Sequence, residues 1–323
     1  MGPEFIIKVL KNSALNKLLF ENISFPCIKA QFFPLSVLFS LRQIFQGLFP
    51  SSRTLSPKKP ESETTRGNSF NCGSFSIPRK DKAKSGGEDS HVCTKKLISI
   101  ADGVGGWADL GVDSSLYSKQ LCYLIDRLFK ENKEKYVKNP KALLVDAVSL
   151  NQEQGTSTSL ILTIDESKPI LYASNIGDSS FMILRKIKKS HGTNLRVVFQ
   201  SKEQYRSFNY PYQVGTNGDN PKMYALMTSH SIKNNDIIIC GSDGLFDNLD
   251  HHHIVKSILP FLEEEKIVDI KFLSEVLAKF AYEFSLDPKF QSPFSKKCQC
   301  FDGSGIGGKE DDITVVIAQV NVD

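Results

Sequence analysis

The sequence predicts an α+β fold in which antiparallel sheets are covered by helices. Three observations lead there. Strand-like runs follow one another from residue 158 to 200 across turns as short as Asp165-Glu166-Ser167, and neighbours joined so briefly pair antiparallel. Helix-like stretches come in separate blocks instead of alternating with strands, which argues against βαβ units. Four apolar runs, finally, have acids at their ends: Ile98 to Ala101 before Asp102, Leu171 to Ile176 before Asp178, Ile237 to Cys240 before Asp243, and Asp311-Asp312 before Ile313 to Ile317.

Taken in order, residues 1–66 read as a transit-like or disordered leader. They are basic and rich in Phe, Leu and Ile, and over residues 1–60 eight Lys or Arg face only Glu4 and Glu21, an excess of six positive charges. The longest apolar block, Phe32 to Leu41, is interrupted by Pro34 and is shorter than the ~20 residues of a membrane span, so no transmembrane segment is expected. Residues 67–85 read as a linker, with Ser, Pro, Lys and Gly and no periodicity. The body is 86–323.

In the body, Ser114 or Ser115 is expected to cap a helix whose Leu121, Leu124, Ile125, Leu128 and Phe129 share a face, and a second helix follows Pro140. Strands are expected over 158–163, 170–175, 180–185 and 195–200. The polar and aromatic stretch 201–235 reads as a long loop or flap. Two helices come next, the clearer one running from Asp269 to before Pro288, and the strand 313–320 closes the body.

Charge excludes one class of function. After residue 60 the chain holds 32 basic and 34 acidic residues, a balance of −2, so the body is not expected to bind nucleic acid. The seven cysteines are odd in number and scattered, which suits reduced thiols, and Cys298-Gln299-Cys300 reads as a loop with two thiols. His251-His252-His253 looks like a metal clamp, but consecutive residues at a helix start do not converge on one ion.

Acids at several strand ends, without His or Cys at ligand spacing, suit hard cations such as Mg2+ or Mn2+. Two such ions about 3.5–4 Å apart can activate a shared water toward a phosphoryl group. A single Asp-Gly turn is mostly structural; the order and identity of the fragments carry more weight. Glu88-Asp89, Ala101-Asp102-Gly103-Val104-Gly105-Gly106-Trp107, Gly155-Thr156-Ser157-Thr158, Asn175-Ile176-Gly177-Asp178-Ser179, Ser242-Asp243-Gly244-Leu245-Phe246-Asp247-Asn248 and Gly307-Gly308-Lys309-Glu310-Asp311-Asp312-Ile313-Thr314 resemble, in that order, the motifs of the metal-dependent type-2C Ser/Thr protein phosphatases. The Asp-Gly-Val-Gly-Gly-Trp turn, Phe208 to Gln213, Leu286-Asp287-Pro288 and Ser292-Pro293-Phe294 look like that family's mitochondrial branch.

The resemblance implies a four-layer α-β-β-α sandwich, two antiparallel sheets flanked by helices, with 86–323 as the phosphatase domain. It implies hydrolysis of phosphoserine and phosphothreonine in phosphoprotein substrates by a water or hydroxide bridging two metals. Asp102 would bridge two Mg2+ or Mn2+ ions and the Gly103 carbonyl would bind one. Asp243 and Asp311 would hold the other, Glu88 and Asp89 would orient metal-bound water, and Asp178 with Asp243 would form a weaker third site. A mitochondrial or related address follows from the same likeness together with the leader.

The match has departures. Many members place His after the Asp-Gly as a general acid, and Val104 stands there; His91 nearby reads as a bystander. An Arg four residues before the Glu commonly binds substrate phosphate, and Lys84 occupies that position, able to act as a point charge without the bidentate fork. Asp312 replaces a common Asn. Asp247 and Asn248 are expected to fix the turn and cap the next helix. The alternative reading is a weak or inactive member that binds phosphoproteins as a regulator, which loss of a bridging acid would favour; all the acids are present. A haloacid dehalogenase would need a second acid two positions after the first, where Val104 stands.

Overall fold

The computed structural model describes residues 67–189, 192–262 and 269–323. The expected leader 1–66 lies outside the described residues.

Two five-stranded antiparallel sheets face each other. With strands β1 (Ser69–Ile77), β2 (Asp89–Cys93), β3 (Leu97–Asp102), β4 (Ser159–Ile164), β5 (Ile170–Ile176), β6 (Ser180–Lys189), β7 (Gly192–Gln200), β8 (Leu226–Ser231), β9 (Ile237–Gly241) and β10 (Ile313–Asn321), one sheet has the order β1-β10-β9-β6-β7 and the other β8-β5-β4-β3-β2. Helices α1 (Ser114–Glu131) and α2 (Pro140–Leu150) cover the second sheet; α3 (His251–Leu262) and α4 (Ile270–Ser285) cover the first. A fifth helix, α5 (Pro293–Asp302), precedes β10.

Side-chain alternation explains the layering. In β9, Ile237 and Ile239 point to the α3/α4 layer, where Ile254, Ile258, Leu273 and Leu277 meet them, while Ile238 and Cys240 enter the space between the sheets with Ile98, Ile100, Leu160 and Leu162. Both faces of such a strand are buried, which is why it reads as an unbroken apolar run. On the far side Leu97, Ala101 and Ile161 pack beneath Leu121, Ile125, Leu143 and Leu144. The four-layer α-β-β-α arrangement is thus the observed one.

Several expectations need correction. β1 lies in the stretch expected to be linker. Its sequence SFNCGSFSI is too polar to announce a strand, yet it pairs with β10 along its whole length. The expected flap 201–235 contains the short pairs Tyr205–Ser207 with Tyr210–Pro211 and Val214–Gly215 with Thr156–Ser157, and its last part is β8, an exposed edge strand on β5. Cys298 and Cys300 sit on α5, not in a loop. The cap of α1 is Asp113, whose carboxylate accepts from Ser115 N, rather than Ser114 or Ser115. Among the described residues no helix is long and apolar enough to cross a membrane.

Candidate metal centre

The sandwich brings the acids together at one edge. Asp102 ends β3 and stands opposite Asp89 in the β2–β3 register. Asp178 lies in the β5–β6 turn, Asp243 follows β9, and Asp311 precedes β10. Desolvation, then the charges of Asp89, Asp243, Asp311 and Asp178, raise the Asp102 pKa well above the ordinary carboxylate value. Burial and the charges of Asp243 and Asp247 do the same to Asp178. Burial, then the charge of Asp312, pushes Asp89 up to about 8, although a hydrogen bond from Ser242 opposes this.

The backbone around these acids is tightly held. Gly103 N donates to Glu88 O at 3.1 Å, and a Cβ at Gly103 would meet Glu88 O at 2.8 Å and Ser114 O at 2.9 Å. Only glycine fits between them. Gly155-Thr156-Ser157-Thr158 joins three parts of the site. Thr158 N donates to Asp102 O at 2.9 Å and its hydroxyl shares a 2.8 Å hydrogen bond with Ser179; Val104 N donates to Thr156 O at 3.0 Å. Trp107 Nε1 donates to Thr156 Oγ1 at 2.7 Å, and that hydroxyl donates to Gln213 Oε1 at 2.5 Å. The Asp-Gly-Val-Gly-Gly-Trp turn and the Tyr210 to Gln213 stretch are therefore linked through one threonine.

Glu88 and Asp312 form a second cluster with Lys82. Asp312 accepts from Arg79 N and Glu88 N, each at 2.7 Å, and the Lys82 ammonium bonds the Glu88 carboxylate. Lys84, the expected phosphate contact, is exposed and outside this cluster; Lys82 is the lysine that pairs with Glu88. The 3-10 turn Lys80–Lys82 produces this placement, and spacing from Glu88 alone did not reveal it.

Sequence reasoning also missed Lys309 and Lys297. Lys309 Nζ bonds Asp243 and lies 2.9 Å from Asp247 and 3.2 Å from Asp311. Lys297 Nζ lies 2.6 Å from Glu203 and 2.9 Å from Asp247. Burial works against the Lys309 charge, but Asp243, Asp247 and Asp311 outweigh it and hold its pKa above the ordinary lysine value. Asp247 is a counter-ion for two lysines and Asn248 bonds the Gly244 and Lys309 carbonyls, so neither caps α3; Asp250 does, accepting from His253 N. The one visible signal for Lys309 is a lysine set inside an acidic motif.

The histidines stay apart. His91 Nε2 shares a 2.8 Å hydrogen bond with Ser74, and burial lowers its pKa. His253 binds Asp250 and packs on Phe290.

Do these residues suit divalent cations? Among the described residues no three of His, Cys, Asp and Glu are drawn together tightly enough to hold a metal as they stand. Asp89 Oδ1 and Asp243 Oδ1 are nevertheless buried without a hydrogen-bond partner, a costly state for carboxylate oxygens. Lysine ammonium groups lie against Glu88, Asp243 and Asp311. An all-oxygen set, short of positive partners and already drawing in cations, fits Mg2+ or Mn2+.

Known proteins resemble this chain in sequence and in fold. No family model matches the chain. The Drosophila mojavensis protein named protein phosphatase PTC7 homolog fig is 33% identical over 255 residues, covering 73% of this chain and 78% of that relative. Probable protein phosphatase 2C 26 of Arabidopsis thaliana is 32% identical over 267 residues, covering 78% of this chain and 84% of that relative. The chain belongs to the protein phosphatase 2C family. Probable protein phosphatase 2C 55 of Arabidopsis thaliana is 35% identical over 252 residues; they cover 77% of this chain but 51% of that protein, so the chain spans about half of this 2C relative's length. Among solved structures, the photosystem II phosphatase PBCP superposes with a TM-score of 0.68 at 29% identity, covering 77% of this chain and 98% of that one. The α-β-β-α sandwich is thus shared with a solved phosphatase, and the branch likeness read from the Asp-Gly-Val-Gly-Gly-Trp turn agrees with the PTC7 homologue.

Proposed function

We propose that this chain is a Mg2+- or Mn2+-dependent phosphatase that hydrolyses phosphoserine and phosphothreonine in proteins. The observation that carries the reading is the gathering of Asp89, Asp102, Asp178, Asp243 and Asp311 at one sheet edge, with two buried carboxylate oxygens lacking partners. Asp102 would hold two ions, with the Gly103 carbonyl on one; Asp243 and Asp311 would hold the other, and Asp178 with Asp243 would offer a weaker third position. Bound, the ions polarise the phosphoryl group and lower the pKa of an attacking water. Glu88 and Asp89 orient water. Ser242 Oγ, donating to Asp89 Oδ2 at 2.7 Å, fixes that carboxylate for the task.

Val104 has no proton to give, so the departing serine or threonine oxygen takes its proton from water. Lys82, beside Glu88, replaces Lys84 as the cation that meets the substrate phosphate, a point charge without the two-pronged grip of arginine. A mitochondrial address rests on the composition of 1–66 and on the branch likeness; a fluorescent fusion at the C-terminus should co-localise with mitochondria, and a diffuse cytosolic signal would refute it.

The direct test of the site is Asp102→Asn and Asp243→Asn. Each should reduce Mn2+-stimulated hydrolysis of p-nitrophenyl phosphate to background while circular dichroism stays native. Full activity in either variant would sink the assignment.

A further inference from the structure

Lys309 stands inside the ring of acids and is held there by more than its charge. Its N–H donates to Asn248 Oδ1 at 2.9 Å and its carbonyl accepts from Asn248 Nδ2 at 2.9 Å, so Asn248 clamps the lysine backbone from both sides. The same Asn248 amide also donates to Gly244 O at 2.9 Å, tying the clamp to the turn that carries Asp243. The ammonium then reaches Asp243, Asp247 and Asp311, and lies 5.1 Å from the centre of the Phe294 ring. Two of these acids are the pair assigned above to one cation. The third, Asp247, is 1% exposed and has no metal assigned to it.

A divalent cation and a lysine ammonium draw on the same two carboxylates: Lys309 holds Oδ2 of Asp243 and of Asp311, while Asp243 Oδ1 has no hydrogen-bond partner. Placed on one carboxylate pair, the two positive charges repel. Asp247 offers the lysine a place to go: Lys309 already touches it at 2.9 Å, so a small rotation of the flexible stem keeps one ion pair while giving up two. We propose that Lys309 is a built-in competitor for the cation at Asp243 and Asp311: its ammonium neutralises these carboxylates in the metal-free chain and withdraws onto Asp247 when metal binds, so that this side chain sets how tightly that position holds metal. The proposal rests on the reading of Asp243 and Asp311 as ligands. In the metal-free chain the lysine removes the repulsion that otherwise builds among crowded acids. In the loaded chain its charge, still close by, weakens the dication's hold.

The test is Mn2+ binding by titration calorimetry on the full chain after dialysis against EDTA, with Lys309→Met, Lys309→Gln and Lys309→Arg beside the native protein. One unit charge a few ångströms from a dication weighs about tenfold or more in affinity. Lys309→Met and Lys309→Gln should bind one Mn2+ at least about tenfold more tightly, and Lys309→Arg should keep native affinity. Without metal, the Met and Gln variants should melt below native, and Mn2+ should raise their melting temperatures by more than it raises the native one. If Lys309→Met does not fold without metal, the Gln variant supplies the affinity. Unchanged or weaker Mn2+ binding by both neutral variants, with native binding intact, would overturn this proposal alone. A native chain that takes up no Mn2+ would overturn the ligand assignment and the proposal with it.

Discussion

Asp89 shows what the site costs the fold at the scale of one residue. Its Oδ1 has no partner, and burial with the nearby Asp312 charge pushes its pKa up to about 8. The unfolded value is near ~3.9. A carboxyl that holds its proton more tightly folded than unfolded contributes most to stability below the unfolded value, and the contribution is lost as pH rises through the folded one. Metal-free protein should therefore lose stability from pH 5 to pH 8, and Asp89→Asn should flatten that slope, as read from urea midpoints at each pH. An unchanged slope would mean that Asp89 is not the group titrating. The acids were legible in the sequence because each sits at a strand end beside a turn. Their counter-ions were not: Lys309 meets Asp247 across 62 residues of chain, and only the pairing of β9 with β10 brings the two segments together.

At the scale of elements, the short helical turn Asp243–Phe246 is pressed against the start of β10. A Cβ at Gly244 would lie 2.1 Å from Asp312 O, so nothing larger than glycine fits without moving Asp243 or Asp312. Gly244→Ala should cost about 1–3 kcal/mol by overpacking and lower phosphatase activity at least about tenfold by displacing a ligand, a barrier change near 1.4 kcal/mol. Thermal melting and p-nitrophenyl phosphate turnover measure the two effects separately; native values in both would show that the turn yields easily. Elements with strong periodicity were the readable ones. The apolar stripe of α1, the Asp269 cap of α4 and the unbroken run of β9 each state their own structure. β1 and β8 do not, because edge strands bury little and their polar residues match those of a linker or loop.

Across the described residues, two sheets and two helical layers build three apolar cores, and the edge where Asp89, Asp102, Asp243 and Asp311 sit beside β2, β3, β9 and β10 is left to carboxylates. The layering was legible from the block order of strands and helices and from the motif likeness. Which strands lie at the edges was not, since sheet order depends on contacts between distant segments such as β1 with β10. On the proposed reading, this edge works on phosphate only with divalent cations in place. Release of inorganic phosphate from a phosphothreonine peptide, followed for the EDTA-dialysed full chain before and after Mn2+ is added, tests it most directly. Background release in EDTA and sustained turnover with Mn2+, lost again in Asp102→Asn, are expected; equal release in EDTA, or none with Mn2+ bound, would refute the metal-dependent reading.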